Sequence, residues 1–348
     1  MLPQIELQPG FSIPCLIHGT WHLHESARTL ERAAVIADML QTFDLGFTAI
    51  ESADTYEGVE EVLGLLRAEL QNSRGAEAAA RLRSHTRVSQ IGTTTLTPSG
   101  VRASIDRSRR RLRQERLDLV QLQWWNMAQP GWLEAGLELA KLRQEGAVTA
   151  IGVTNFPTVQ MQALLAAGVP VVSNQVQVSL VDPRAQATLR AECEAAGVRL
   201  LGYGPLAGGF LSERWLAKPD PGLKPSAELH FGLVYRMLID RFGGWPWFQE
   251  LLQVLATRAA AHDVNLSTMA LAWTLNRSGT SGLLVGIGSA RRAHSYLEAL
   301  RIRIDAYDEA AIGAVLTRRT PITGDVADIE RAQLINAIAT ESAWPATA

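Results

Sequence analysis

An α/β fold, a single (β/α)8 TIM barrel, is predicted by three features of the 348-residue sequence. Short apolar runs alternate strictly with longer stretches of helical period. There are eight such runs, and the first βα turn, Gly19-Thr20-Trp21-His22, carries no glycine-rich fingerprint. Strict alternation of strand and helix argues for a parallel sheet buried on both faces. Eight strands over about 300 residues fit closure into a barrel. The competing open, doubly wound sheet would show the fingerprint that is missing here.

Taken in order, strands are expected at 16–20, 47–52, 82–88, 117–122, 148–153, 171–175, 198–202 and 283–287. The Pro- and Gly-punctuated opening ahead of the first fits a hairpin. Helical periods occupy 29–44, 57–70, 98–113, 132–145, 157–167 and 183–196, and 246–277 reads as at least two helices. Residues 204–245 break the repeat. They are long and rich in Gly and Pro, as a functional loop or lid would be. The barrel is expected to span 1–320, with 321–348 a C-terminal extension in which 327–340 has a helical pattern.

Composition narrows the function. The chain is 47% hydrophobic and 20% charged, enough apolar matter for a full core. A net charge of −2 gives no field favouring nucleic acid or an anionic membrane. The basic run 107–116 (RSRRRLRQER) has helical period and reads as a solvated helix face. Cys15 and Cys193 are far apart and lack metal-ligand spacing, which fits a reducing compartment. The first residues show no basic and apolar leader pattern, and no apolar run approaches the ~18 residues of a membrane span. The expectation is a cytoplasmic protein, a monomer or small homo-oligomer, acting on a small molecule with neither nucleic acid nor membrane as partner.

In such barrels the chemistry sits at the C-terminal ends of the strands. Those positions hold Gly19, Thr20 and Trp21, then Glu51, Asp54 and Tyr56, then Arg87, Gln123, Thr154 and Asn155. Asn174, Gln175, Tyr203, Gly288 and Ser289 complete the ring. Polar caps end the strands of any barrel. An acid, a phenol and a guanidinium converging on one mouth are more than caps.

Five segments in register give these positions a meaning. Residues 49–56 (AIESADTY) resemble the aldo-keto reductase pattern I-D-[ST]-A-x-x-Y, and 102–122 (RASIDRSRRRLRQERLDLVQL) resemble that family's next helix and strand. The stretches 151–156 (IGVTNF), 172–177 (VSNQVQ) and 203–211 (YGPLAGGFL) are similar to its I-G-V-S-N-F, V-x-N-Q-V-x-Y and Y-S-P-L-x-x-G-x-L. The resemblance runs from about residue 16 to 318. It implies a nicotinamide-dependent carbonyl reductase whose cofactor, NADP (NADPH) in preference to NAD, lies across the barrel mouth. By the same resemblance Tyr203 would stack on the nicotinamide, while Thr154, Asn155 and Gln175 hold its carboxamide. Gly19 and Thr20 would approach the cofactor, and Leu206 would lie near the diphosphate. Ser289, Arg291 and Arg292 would serve the adenosine phosphate, although Tyr296 stands where the family has an adenine-contacting asparagine.

The family's catalytic tetrad combines a tyrosine, an aspartate–lysine pair and a histidine. The matching positions here read Tyr56, Glu51, Arg87 and Gln123. The charged pair is replaced in kind, since Arg87 supplies the cation and Glu51 the carboxylate. Gln123 can donate an N–H to a substrate oxygen but cannot carry a proton. A modified reductase is one reading. A non-redox isomerase, lyase or cyclase using Tyr56 for proton transfer is another, because arginine prefers carboxylate partners. A third is a cofactor-binding pseudoenzyme.

Other candidates carry less. His18, His22 and His24 lack metal-site spacing, so no metal is expected, and His22 is instead assigned to the substrate pocket with Trp21 and Trp124. Trp245 and Trp247 are read as packing the long loop onto the following helix. Ser52 and Ser173 have no histidine in a triad arrangement.

Overall fold

A computed structural model describes residues 2–23, 32–90, 96–186, 188–223, 232–277, 279–322, 324–329 and 331–332. The opening is the expected hairpin, β1 (Gln4–Gln8) paired antiparallel with β2 (Phe11–Pro14). The barrel begins with β3 (Leu16–Gly19), α1 (Arg32–Asp44), β4 (Ala49–Glu51), α2 (Val59–Arg74) and the short α3 (Ala76–Arg81). It continues through β5 (Arg83–Gln90), α4 (Pro98–Leu112), β6 (Leu117–Trp124), α5 (Trp132–Gln144) and β7 (Val148–Thr154). Next come α6 (Thr158–Ala166), β8 (Val171–Gln177), α7 (Thr188–Ala195) and β9 (Arg199–Tyr203). The circuit ends with α8 (Leu233–Phe242), α9 (Gly244–Ala261), α10 (Leu266–Arg277), β10 (Gly282–Gly286), α11 (Ala290–Ala299) and α12 (Ala306–Leu316).

The eight strands β3 to β10 close into a parallel barrel, β10 pairing with both β9 and β3. All eight expected strands are present. Their outward side chains and the inner faces of the helices form the largest apolar cluster, which includes Val88, Val120, Leu122 and Ile151. The hairpin plugs the N-terminal end, where Leu7, Phe11 and Ile13 pack on Ile17, Ala49, Leu119 and Leu201 inside the barrel. The opposite, C-terminal end is where barrels of this kind place their sites.

Register fixes what faces that end. Parallel pairs share a face, and Gly19 pairs with Glu51, Glu51 with His85, Gln123 with Thr154, and Thr154 with Gln175. Strand tilt then stacks inward side chains in layers of four drawn from alternate strands. One layer holds Gly19, Arg87, Thr154 and Tyr203, and the layer beneath holds Glu51, Gln121, Gln175 and Leu284. A register shift opposite Ile151 and Gly152 inserts one extra residue in β8.

The expected loop 204–245 is only partly irregular. It holds two 3-10 turns and the ten-residue helix α8, whose short apolar period is masked in sequence by the glycines and prolines around it. Tyr235 of α8 packs on the turn after β9; a Cβ at Gly204, which has φ 69°, would lie 2.3 Å from its hydroxyl. Phe210, Trp215, Trp245 and Phe248 stack at 4.8–6.2 Å, so Trp245 does pack this segment onto α9. Trp247 is buried as well and donates to the Val315 carbonyl. The span expected as helix at 183–196 is a 3-10 turn at Arg184–Gln186 followed by α7. The start of the expected extension is docked on the barrel: Val326 and Ala327 are buried, and Arg184 donates to the Asp325 carbonyl at 3.0 Å. Most of the 327–340 helix expectation lies outside the described residues.

Helix α2 follows the loop that carries Tyr56, and its seat against α4 is close. A Cβ at Gly64 would stand 2.1 Å from the Arg111 carbonyl oxygen. Gly64→Ala is therefore expected to cost about 1–3 kcal/mol through overpacking. The check is a lower urea midpoint at an unchanged slope.

Candidate active site

Four side chains from three separate stretches of the sequence meet at the mouth. β4 delivers Glu51, β5 Arg87 and β6 Gln123, each inward at a strand's C-terminal end. Tyr56 comes from the loop after β4. That loop prolongs the sheet, since the Asp54 amide donates to the Arg87 carbonyl at 3.1 Å, and then turns so that the Tyr56 amide reaches the Ala53 carbonyl. Asp54 is held from outside by the Ser104 hydroxyl at 2.9 Å. Burial first of all pushes the Asp54 carboxyl up to about 6. The tyrosine is thus anchored to the strand that carries its arginine.

Arg87 is the hub. Its Nη2 lies 2.9 Å from Glu51 Oε1 and also donates to the Tyr56 hydroxyl, while Nη1 donates to Gln123 Oε1 at 3.3 Å. Its guanidinium carbon stands 4.9 Å from the Tyr56 ring centroid. The side chains of Arg87 and Glu51 are 11% and 4% exposed, so water screens this pair little. Burial raises Glu51 above the ordinary carboxylate range, although Arg87, the Thr20 amide and Gln175 all pull the other way. Burial likewise raises Tyr56, opposed by Arg87. The phenol is a protonated donor at neutral pH with a cation at its oxygen.

The orientation of Gln123 follows from its partners. Arginine only donates, so the Gln123 atom facing Arg87 is its oxygen. That oxygen also accepts from Ser89 at 3.3 Å. Its NH2 remains as a donor.

A second group lies beside the tetrad. Thr154, Asn155 and Gln175 are buried, and the Thr154 hydroxyl donates to Gln175 Oε1 at 3.4 Å. Asn155 has φ 56° and donates through Nδ2 to the Tyr203 hydroxyl at 3.1 Å, fixing the half-buried ring at the rim. The buried Nε2 atoms of Gln175 and Gln177 make no hydrogen bond of normal geometry among the described residues. Thr20 is buried and donates to the Glu51 carbonyl at 2.7 Å, and Gly19 has no side chain to obstruct the mouth. Leu206 is half-buried in the turn after β9. Ser289 caps α11, accepting from the Arg292 amide at 3.4 Å, and Arg291 and Arg292 are exposed on the first turn.

One expectation needs correction. Trp124 does not wall the pocket: register turns it outward from β6, where it is 1% exposed and donates to the Gln129 carbonyl. His22 lies over the end of β10, with Nδ1 3.9 Å from where a Gly286 Cβ would stand. Tyr296 is buried, its hydroxyl donating to the Gly286 carbonyl at 3.0 Å, so it is a structural prop under the strand end. Trp21 does stand at the rim, 38% exposed, and His24 lies outside the described residues. Sequence reading missed Ser89 and Gln177, each two residues beyond a predicted site residue on the same strand. The period-two rule gives their facing. Arg331, which donates to the Asn155 carbonyl, had no signal at all.

The comparisons bear on the family and the fold. The profile of the Aldo/keto reductase family matches residues 15–317, and the chain belongs to that family. It is 27% identical over 262 residues to the flagellar radial spoke protein 5 of Chlamydomonas reinhardtii, covering 66% of this chain and 50% of that protein. The chain thus spans about half the length of that relative. It is 29% identical over 211 residues to 2,5-diketo-D-gluconic acid reductase B of a Corynebacterium species, covering 59% of this chain and 68% of the other. Among solved structures, the glycerol dehydrogenase of Gluconobacter oxydans superposes with a TM-score of 0.74 at 20% identity, over 93% of this chain and 97% of its own. A thermostable aldo-keto reductase in complex with epalrestat gives 0.68 at 20% identity, over 91% and 100%. These two bear on the fold. No helix among the described residues is long and apolar enough to cross a membrane.

Because Glu51 is buried against Arg87, removing the cation strands a carboxylate. Arg87→Met is expected to cost about 3–5 kcal/mol near pH 7. The deficit shrinks as pH falls, because the raised Glu51 carboxyl then takes up a proton and the buried charge disappears. Denaturation of variant and wild type across pH 5–8 (about the range of maximal stability) checks both size and sign.

Proposed function

We propose that this chain is an NAD(P)H-dependent oxidoreductase that reduces the carbonyl of a small molecule, or oxidises the corresponding alcohol, with the tetrad Tyr56, Glu51, Arg87 and Gln123. The observation that carries the reading is the orientation of Gln123. With its oxygen accepting from Arg87 and Ser89, Gln123 keeps its NH2 as a donor in the same cluster as the Tyr56 hydroxyl, since both side chains bond to Arg87. A carbonyl oxygen that becomes an alkoxide needs two such donors, one of which can release a proton.

The nicotinamide half of the cofactor fits the residues present. Tyr203 offers a ring face whose hydroxyl is already fixed by Asn155, and Gln175 brings a buried amide nitrogen without a well-aligned protein partner. Thr154 and Asn155 complete the polar cradle for the carboxamide. At the other end, the capped N-terminus of α11 with Arg291 and Arg292 exposed suits a phosphate, which favours NADPH over NADH. Tyr296 makes the adenine contact differ from the family pattern.

When bound, the reduced cofactor supplies hydride to the carbonyl carbon. Gln123 and Tyr56 hold the carbonyl oxygen, and Tyr56 gives it the proton. The phenolate left behind is stabilised by the guanidinium at its oxygen. A cation about 4 Å away at an effective dielectric near 20 is worth ~4 kcal/mol, or ~3 pKa units. Glu51 keeps Arg87 in place and balances its charge. The two terminal nitrogens of Arg87 are engaged by Glu51, Tyr56 and Gln123, while its buried Nε makes no hydrogen bond among the described residues.

NADPH is expected to quench tryptophan fluorescence with a micromolar-range Kd. The chain has nine tryptophans, and Trp21 stands at the rim. No quenching at millimolar NADPH removes the reading. Tyr56→Phe is expected to abolish turnover while leaving NADPH affinity within about twofold, a kcat effect without a binding effect. Gln123→Leu, which keeps size and loses the donor, is expected to lower kcat by about 10²–10³.

A further inference from the structure

Beneath the tetrad the barrel interior is polar in a way that the carbonyl chemistry does not use. His85, Gln121 and Ser173 are each 0% exposed. Both ring nitrogens of His85, both amide atoms of Gln121 and the Ser173 hydroxyl have no hydrogen-bond partner among the described residues. The inside of such a barrel is ordinarily filled by branched aliphatic side chains, as Ile17, Leu119 and Leu201 fill it here. Buried polar atoms are satisfied by protein or by ordered water.

Placement joins these groups to the active site. His85 is the register partner of Glu51, so the two project to the same face from adjacent strands. Gln121 pairs with Arg87 and Gly152, and Gly152 pairs with Ser173. Glycine is required there: a Cβ would lie 2.5 Å from Ser173 Oγ and 3.1 Å from Gln121 Cγ. Ser173 and Gln121 converge over the space that a side chain at 152 would fill.

We propose that His85, Gln121 and Ser173 hold ordered water inside the barrel, in a hydrogen-bonded chain that ends on Glu51, and that His85 is a positioning residue keeping Glu51 ionised through that chain. The kinetic part of this inference rests on the reductase reading above. Burial lowers His85 to about 4, with Asp118 opposing and Arg83 adding to the shift, so the ring is neutral at neutral pH. A neutral imidazole both accepts and donates. It can therefore direct a donor at the carboxylate without bringing a second charge beside Arg87. Donors to the charged form hold a carboxyl down, which offsets part of the burial that raises Glu51. The charged groups around His85 are Glu51 from β4, Arg83 and Arg87 on its own strand, and Asp118 from β6. β7, β8 and β10 carry no titratable side chain.

His85→Leu is expected to move the acid limb of the kcat profile upward by about one pH unit, a tenfold loss of activity on that limb, with NADPH affinity unchanged. His85→Gln, which keeps a donor and an acceptor, is expected to leave the limb close to wild type. Ser173→Ala provides a milder variant should the leucine substitution fail to fold, with a smaller shift in the same direction. The Glu51 titration is also read directly by infrared difference spectroscopy, so a wild-type protein without reductase activity still tests the chain. A crystal structure at high resolution is expected to show water bonded to His85 and Ser173. Protein-only hydrogen bonds in that layer, or a Glu51 titration unchanged in His85→Leu and Ser173→Ala, overturns the proposal.

Discussion

The guanidinium of Arg87 is the constraint on which the mouth of this barrel depends. One planar group faces a buried carboxylate, a phenol and an amide, and each contact fixes a different chemical property. Glu51 supplies the charge that makes a buried cation tolerable. Tyr56 receives a positive neighbour at the oxygen that is to lose a proton. Gln123 has its oxygen claimed and keeps its NH2 as a donor. A lysine at this position would hold a point charge but lacks the planar fork that spans several partners at once. The carboxylate of Glu51 and the amide oxygen of Gln123 are what that fork touches here, together with the Tyr56 hydroxyl.

That arrangement needs a rigid frame, and the barrel provides it. Arg87 and Gln123 sit on adjacent parallel strands, the Tyr56 loop is pinned to the Arg87 carbonyl through Asp54, and the N-terminal end is closed by the hairpin. Outside the mouth, α8 and its aromatic neighbours press Tyr235 onto the turn after Tyr203, and the docked C-terminal residues bring Arg331 to the Asn155 carbonyl. Both props act on the residues assigned to the nicotinamide. The polar layer under Glu51 is the less usual part of the frame, since the residues that elsewhere fill a barrel with hydrocarbon here offer hydrogen bonds.

Much of the fold was legible because it rests on period. Eight buried strands read as apolar runs, and their ends named Glu51, Arg87, Gln123, Thr154, Gln175 and Tyr203 before any contact was known. α8 was not legible because ten residues between Gly- and Pro-rich flanks give too short a window. The outward facing of Trp124 was legible in principle, as it alternates with Gln123, but a pair of tryptophans near the mouth invited a pocket assignment. Arg331 lies far along the chain from Asn155, and no local pattern announces such a contact.

The sequence by itself determined the architecture and the family, because periodicity, short motifs and residue type are local properties. Only the tertiary structure decided what the changed residues do together. That Arg87 meets Glu51, Tyr56 and Gln123 together, and that His85 shares the face of Glu51, follow from register across the barrel. Register depends on strand tilt and closure, which no single segment of the chain contains.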